Sequence, residues 1–494
     1  AASMELNQTS ICYYEKKLAH ISAVTESADS IVPDTFPDIG RIVCAYGTAV
    51  IKDQTPQNDR LLVSGTVQTT VLYEPENGGK LRRLSVPVTF AHIEECEGLT
   101  AESICSTVCR IAAVDAEAMN SRKVSVSVQL CFLTEGYCKA ECDVTESVEL
   151  DGIECLSHLQ SITLLEQVRS YPVTILDDVQ LADAAELSLL HTDCTMQVSE
   201  CRAMHGRIIV KGEAVLHCLA MQEDDAVRVL NSSTPFTQIL ELPEAEEDAL
   251  TAVRMTVSEA DCRLESDGML SCTISAQAIV LLRQERRLRC IEDMYLPGKE
   301  LAAQAEHPVL QNMPSAQPFT AEGSETLQTA QHVSHVIAAQ AVCCGAKRVS
   351  ESELQIKAGV CVLYLSDEQQ LCAVQRIVPL TMPYSEAGEP EELTLSARAT
   401  AAGERGLLLT VTANGAAATQ ERVTFCHISA LEIKPKESSH NGVTLVLKQI
   451  NDEERLWDIA KNCGTTEQAI RCANDLPAEA ECVQNAMLLI PIQD

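Results

Sequence analysis

The chain repeats one pattern three times, with a period of about 147 residues, and this repeat constrains the fold more than any other feature. Each copy has a β-rich stretch, a polar turn and a second β-rich stretch, an order typical of an antiparallel hairpin. The small residues Gly65, Gly212 and Ala358 occupy the same place in the three copies and lie 147 and 146 positions apart. We therefore expect three copies of one β domain.

A second hairpin follows in each copy, at 116–133, 260–282 and 397–418. Apolar residues alternate there with Ser and Thr, which predicts a sheet with one buried and one solvated face. The fold class is therefore mainly β, with three repeated, antiparallel, β-sandwich-like domains. Within the repeats, helical spacing is limited to possible short helices around 300–306 and 324–340.

Polar stretches between the copies give the expected domain boundaries. The clearest boundary is the polar stretch at 434–442, after which the sequence changes character. We expect Met4 to be the native start. The predicted domains are the three repeats at 4–148, 149–298 and 299–434, and a small C-terminal domain at 443–494.

The charge balance excludes several classes of function. The chain has 37 basic and 71 acidic residues, a formal charge of -34, although 46% of its residues are hydrophobic. That apolar content is too high for a disordered acidic protein. Nucleic-acid binding needs a surplus of Lys and Arg, and docking on anionic lipid needs basic clusters. A protein partner remains compatible with the composition.

The N-terminus and the cysteines indicate a cytosolic protein. Residues 1–10 lack the basic and apolar regions of a secretory signal, and no run approaches the roughly 18 apolar residues of a membrane span. The 23 cysteines occur mostly singly inside apolar stretches, without the paired spacing of a zinc site. We expect buried thiols in a reducing compartment, with late crosslinking of exposed ones left open.

No enzymatic motif is recognisable. The sequence lacks a phosphate-binding loop, a nucleophile elbow and a zinc-protease motif. His332 and His335 could share a helix face, but no third metal ligand accompanies them. We therefore expect no enzyme, no cofactor and no metal. Paired carboxylates are expected on a solvated rim, and these are Glu94/Glu95, Asp177/Asp178 and Glu391/Glu392.

The last fifty residues predict a β-α-α-β order. Apolar spacing indicates a helix over 455–463, which Gly464 ends in a left-handed conformation. A capping box from Thr465 to Gln468 starts a second helix. Strands are expected over 443–447 and near the C-terminus.

This segment resembles a LysM module. The matching stretches are 456–461, 464–466, 473–476 and 489–491, and Trp457 is the single tryptophan of the chain. LysM modules commonly bind polymers of N-acetylglucosamine such as peptidoglycan, in a groove between two loops. The residues expected to pack in the core of the module are Trp457, Ile459, Ile470 and Ile490.

The resemblance also places the groove. Its rim would be formed by Asp452, Glu453, Glu454, Arg455, Asn474, Asp475 and Leu476. Residues 453–455 stand where LysM modules usually carry Gly-Asp-Thr, so the Thr is lost and extra carboxylates appear. Residues 443–494 hold four basic and nine acidic residues, a net charge of -5. This acidity is unfavourable for a repeating acidic glycan but leaves neutral N-acetyl sugars open, and it favours a protein partner.

Three β repeats followed by a LysM module resemble the SipL-type family of clostridial SPOCS-domain spore coat proteins. The stretches at 32–34 and 37–40 add to that resemblance. It implies a mother-cell protein at the forespore surface that binds the coat morphogenetic ATPase, stage IV sporulation protein A, through the LysM. The alternative is a cell-wall or spore-cortex adaptor that binds peptidoglycan.

Overall fold

The computed structural model describes residues 5–182, 184, 186–247, 249–435 and 443–492. Strands hold 75% of the residues and helices 3%, which confirms the mainly β fold. Met4, most of the polar stretch at 434–442, and residues 493–494 lie outside the described residues.

The first two repeats have six described strands each and the third has ten, and two short helices lie near the C-terminus. The first repeat has β1 (Glu5–Ile31), β2 (Ile39–Gln57), β3 (Arg60–Pro75), β4 (Arg82–Glu95), β5 (Ile104–Asn120) and β6 (Lys123–Glu149). The second has β7 (Glu154–Gln180), β8 (Ser188–Met204), β9 (Arg207–Met221), β10 (Val227–Glu241), β11 (Leu250–Leu264) and β12 (Met269–Tyr295). The third has β13 (Lys299–Glu306), β14 (Val309–Asn312), β15 (Gln317–Gln328), β16 (Val333–Ser350), β17 (Glu353–Ser366), β18 (Leu371–Pro383), β19 (Glu389–Ala401), β20 (Gly406–Ala418), β21 (Glu421–Thr424) and β22 (His427–Pro435). The C-terminal module has β23 (Leu445–Ile450), β24 (Glu454–Arg455), α1 (Leu456–Cys463), α2 (Glu467–Ala473), β25 (Cys482–Val483) and β26 (Ala486–Pro491).

Two antiparallel three-stranded sheets build every repeat. Their orders are β1-β6-β5 and β2-β3-β4 in the first, β7-β12-β11 and β8-β9-β10 in the second, and β15-β20-β19 and β16-β17-β18 in the third. The third repeat also has the two-stranded pairs β13-β22 and β14-β21, whose strands precede β15 and follow β20 in the chain. Both predicted hairpins of each copy are confirmed.

Alternation of side chains places a core between the two sheets of a repeat. In the first repeat, Val63 and Val67 of β3 and Val126 and Val128 of β6 are at most 1% exposed and share one cluster. Ser125 and Ser127, which alternate with those valines, are only partly buried. The second and third repeats have equivalent cores. The period of two therefore decides which residues enter the core.

One equivalent backbone hydrogen bond holds the loop that follows β1, β7 and β15 in the three repeats. The backbone N–H of the first loop residue donates to a carbonyl at the turn of the hairpin β5-β6, β11-β12 or β19-β20, as Val32 does to Arg122 at 2.9 Å. The equivalent pairs are Leu181 with Gly268 and Thr329 with Arg405. In the first repeat, the Arg122 guanidinium also donates to the Phe36 carbonyl and the Asp38 carboxylate. These bonds give the stretches at 32–34 and 37–40 a structural role.

The three repeats share two further cores. One joins the strand pairs β1-β6, β7-β12 and β14-β21, and it contains Ile11, Tyr13, Val144, Ile162, Leu164, Leu288, Cys290, Leu310 and Phe425. The other contains Val43, Cys44, Tyr46, Leu72, Leu190, Leu219, Leu363 and Leu371. The repeats therefore pack as one body, and their division into three independent domains stays a prediction.

A charged cluster lies where the three repeats meet. Arg254 of β11 contacts Glu135 of β6 and lies 3.2 Å from Glu391 of β19, while Lys16 of β1 lies 2.9 Å from Glu135. Burial opposes the ionisation of Glu135, but the charges and hydrogen bonds of Arg254 and Lys16 outweigh it and lower its pKa to about 2. The solvated rim expected at Glu391 is wrong, because its side chain is 23% exposed and paired with both cations.

The short helices expected around 300–306 and 324–340 are also wrong. Residues 299–306 form β13 and pair antiparallel with β22. The second range falls on the end of β15 and the start of β16, which places His332 and His335 outside any helix. Register shifts interrupt β16 at four places, two of them between 333 and 338. Such bulges break the period of two and give apolar residues a helix-like spacing.

Eleven of the 23 cysteines are buried, whereas nine are partly buried and three, Cys12, Cys472 and Cys482, are exposed, so the expectation of buried thiols holds for part of the set. Cys44, Cys218 and Cys426 are 5%, 2% and 7% exposed. Burial raises the pKa of Cys44 to about 11, so its thiol stays protonated and unreactive. Cys131 and Cys344 meet in a small cluster between the first and third repeats.

Candidate functional site

The C-terminal module has the two predicted helices between outer strands β23 and β26, and two further short strands, β24 and β25, flank the helices. β23 pairs antiparallel with β26, and both helices contribute to one small core with this sheet. The predicted core residues Trp457, Ile459, Ile470 and Ile490 are 4%, 0%, 0% and 0% exposed. Leu456 and Ile450 join them.

Helix α1 ends at Gly464, whose φ of 70° is the left-handed conformation that glycine favours. The Thr465 N–H then donates to the Ala460 carbonyl, which closes the end of α1. Because the backbone of Thr465 closes the end of α1, the N-cap of α2 is Thr466, one residue later than expected. The Thr466 hydroxyl accepts from the Ala469 N–H, so the predicted capping box at Thr465 is wrong.

Trp457 also attaches the module to the second repeat. Its indole N–H donates to the Asp293 carboxylate at 2.8 Å, and its ring meets the Tyr295 ring edge-on at 4.9 Å. The Tyr295 hydroxyl donates to the Thr465 carbonyl at 2.9 Å. Lys461 lies 2.7 Å from both oxygens of Asp293. Helix α1 therefore packs against the C-terminal end of β12.

The electrostatics of Asp293 suit this contact. Its burial opposes ionisation, but hydrogen bonds from Lys461, Trp457 and the Met294 N–H lower its pKa. The ionised carboxylate thus holds two side chains of α1. Local sequence patterns gave no signal for this attachment, because Asp293 and Trp457 lie 164 positions apart.

The structure joins the two loops that would border the groove. Glu454 and Arg455 pair as β24 with Val483 and Cys482 of β25. Asp452 and Glu453 precede this pairing and are exposed.

Side chains fix the two paired rim residues in place. The Glu454 carboxylate lies 2.6 Å from Lys448, and Arg455 bonds to Asp458 at 3.0 Å. Four of the predicted rim residues thus lie together on one loop.

The remaining rim residues have different surroundings. The Asn474 amide donates to the carbonyls of Ile470 and Leu489 and accepts from the Leu489 N–H, so it ties α2 to β26. Leu476 packs against the core of the module. Asp475 is exposed, with a φ of 49°. Asn474 and Leu476 therefore support the module, and Asp475 alone of the three offers a free carboxylate.

A polar cluster that the sequence did not predict lies between β1 and β4. Nε2 of His92 lies 2.9 Å from the Ser22 hydroxyl oxygen and 2.7 Å from a carboxylate oxygen of Glu94. Nδ1 of His20 lies 3.1 Å from the other oxygen of Glu94. The solvated rim expected at Glu94 is wrong, since its side chain is 6% exposed. Burial opposes ionisation there, yet hydrogen bonds from Ser22, His92 and His20 lower the pKa of Glu94.

This cluster does not have the geometry of a catalytic relay. A serine and an acid that work through a histidine bond to different ring nitrogens. Here Ser22 and Glu94 share one nitrogen, and the His92 ring stacks on Phe132 at 4.5 Å. The cluster joins the two sheets of the first repeat.

Among the described residues, no group of three or more His, Cys, Asp or Glu side chains is arranged to hold a metal ion. Neither described helix is long and apolar enough to cross a membrane.

Two segments of the chain match a known family. Residues 38–119 and 187–265 match the family model described as SipL, SPOCS domain. The matches cover β2 to β5 of the first repeat and β8 to β11 of the second. In the third repeat, β16 to β19 take the same places in their sheets. No curated protein and no solved structure matches the chain.

Proposed function

We propose, from the two SipL-family SPOCS segments that this chain carries, that the protein is a non-enzymatic scaffold of spore coat assembly. It acts in the mother cell at the forespore surface. There its C-terminal module, which we assign to the LysM type, binds a coat morphogenetic protein of the stage IV sporulation protein A type. The family match is the observation that carries this proposal.

The arrangement of the molecule supports a scaffold. The three repeats share two cores, so they present a single body. The module is seated on the end of β12 through α1, which leaves its paired loops exposed. Asp452, Glu453 and Asp475 make those loops acidic. A protein partner with basic residues suits this surface better than an acidic glycan does.

A pull-down with the coat ATPase tests the proposal. The intact chain is compared with one that ends at Lys434 and lacks the module. We expect the intact chain to retain the ATPase and the shortened chain to lose it. Equal retention of the ATPase by both chains would show that the module is not the part that binds it.

The β-α-α-β order of the module supports a second candidate, a peptidoglycan-binding adaptor. Sedimentation with purified peptidoglycan separates the two functions. Co-pelleting at physiological salt that depends on the module would favour the adaptor. We expect the protein to stay in the supernatant, because the usual Gly-Asp-Thr is absent and the loops carry the exposed carboxylates of Asp452, Glu453 and Asp475.

A further inference from the structure

The sheet of the C-terminal module has one face turned away from its helices. Val446, Ile450 and Leu488 point toward the helices and contribute to the core. Residues that alternate with them point outward, and among these Leu445 is 48% and Leu447 is 60% exposed.

The outward residues form one apolar patch, because they are partners across the two strands. Leu445 pairs with Pro491, Leu447 with Leu489, and Gln449 with Met487, which is 60% exposed. We call this patch, made of Leu445, Leu447, Met487, Leu489 and Pro491, the outer face. Contiguous exposed apolar side chains of this kind mark an interaction site more often than single ones do.

The opposite side of the module is already occupied. The module contacts the second repeat through Trp457 and Lys461 of α1 and through the carbonyl of Thr465, which follows this helix. Leu156 of β7 packs against the core of the module there. The outer face therefore remains as the accessible apolar surface of the sheet.

Exposed carboxylates lie in the loops beyond one end of this sheet. Beyond the Ile450–Ala486 pair, β23 and β26 lead into the loops that carry Asp452, Glu453, Glu479 and Glu481, all exposed. No ion pair to these four is present within the described residues. The basic residue of these loops, Arg455, is bonded to Asp458.

We propose that the outer face docks a protein segment that carries an apolar stretch with Lys or Arg residues beside it. The apolar stretch covers Leu445, Leu447 and Met487, and the basic residues meet the loop carboxylates. This inference rests on the proposed function, because it takes the partner to be a protein.

The chemistry of the face disfavours other occupants. A sugar would leave its hydroxyl groups without hydrogen-bond partners against aliphatic side chains. The single tryptophan, Trp457, is 4% exposed and turned toward the second repeat, so it offers no stacking surface. An anionic membrane would be repelled by the loop carboxylates. A second copy would bring together two chains that each carry a charge of -34.

The test measures binding of the purified coat ATPase to full-length variants at low and at physiological salt. The face variant is L447S/M487S, and its control is L408S, which alters a leucine that is 42% exposed on β20 of the third repeat. The charge variant is E453Q/E479Q/E481Q, with E76Q/E223Q/E247Q as its control. Fluorescence of Trp457 verifies that each variant keeps the module folded and attached.

We expect the face variant to weaken binding by about tenfold or more, and the controls to leave it unchanged. The charge variant should weaken binding at low salt, and its binding should depend less on salt than that of the intact chain.

If both variants bind like the intact chain while the chain ending at Lys434 does not, the outer face is not the docking site and the proposed function stands. No binding by the intact chain would overturn both. A dimer that the face variant dissolves would show that the occupant is a second copy.

Discussion

A glycine faces a phenylalanine across β3 and β4 in the first repeat and across β9 and β10 in the second. Gly65 pairs with Phe90, and Gly212 pairs with Phe236. A Cβ on Gly65 would lie 2.5 Å from the Phe90 ring and overlap the Val50 carbonyl oxygen. These glycines thus make room for the ring and for the neighbouring strand.

In the third repeat, the equivalent position is occupied by Ala358, which does not face a phenylalanine. Ala358 pairs with Val378, so a methyl group is tolerated beside a smaller partner. The sequence showed that these three positions correspond, but it could not show the reason, because the ring and the carbonyl come from other strands.

Gly65→Ala should therefore destabilise the protein. We expect a loss of about 1–3 kcal/mol in the free energy of unfolding, the usual cost of forcing atoms into a packed core. Ala358→Gly is the matched control, with an expected loss of about 0.5–1 kcal/mol from added backbone freedom. Chemical denaturation measures both. Equal losses would mean that the contact with Phe90 and Val50 has no special cost.

At the scale of elements, the sequence predicted the hairpins of the repeats but not the contact that attaches the C-terminal module to the second repeat. The alternation in 124–128 depends on neighbours in sequence, so it identified β6 correctly. Helix α1 was identified by its spacing and by Gly464. The seat of α1 on β12 depends on Asp293, far away in the chain, and no local pattern contains it.

Asp293→Ala should loosen the module. It removes the carboxylate that accepts hydrogen bonds from Trp457 and Lys461, at an expected cost of about 1–3 kcal/mol. Hydrogen exchange should then speed up at the amides of α1, while the cores of the repeats keep their protection.

Asp261→Ala is the control for this change, because Asp261 forms an exposed ion pair with Arg263. Unchanged exchange in α1 of the Asp293 variant would show that Tyr295 and the apolar contacts suffice to hold the module.

At the scale of the whole molecule, the charged cluster and the shared cores join the repeats. Lys16 and Glu135 come from the first repeat, Arg254 from the second and Glu391 from the third. The sequence predicted three copies of a domain, and composition suggested that such carboxylates are solvated. It could not predict that the copies pack against one another, because each repeat also has a complete core of its own.

This cluster should make stability depend on pH. The pKa of Glu135 is about 2 in the folded protein against 4.5 when unperturbed. Its stabilisation is therefore complete above pH 4.5 and is lost as the pH falls toward 2. Glu135→Gln should lower the free energy of unfolding by about 3 kcal/mol at neutral pH, and the difference from the unchanged protein should shrink across that range.

Denaturation curves at several pH values measure this difference. Glu76→Gln, an exposed carboxylate in a turn, is the control and should show little difference at any pH. A constant difference between the Glu135 variant and the unchanged protein would contradict the assignment of the shift to Glu135.

Localisation in sporulating cells tests the central claim, that the β body is a coat scaffold attached through its C-terminal module. Fluorescent fusions of the intact chain and of the chain ending at Lys434 are compared in the same strain background. We predict that the intact chain encircles the forespore and that the shortened chain spreads through the mother cell. A shortened chain that encircles the forespore as well as the intact one would contradict the account.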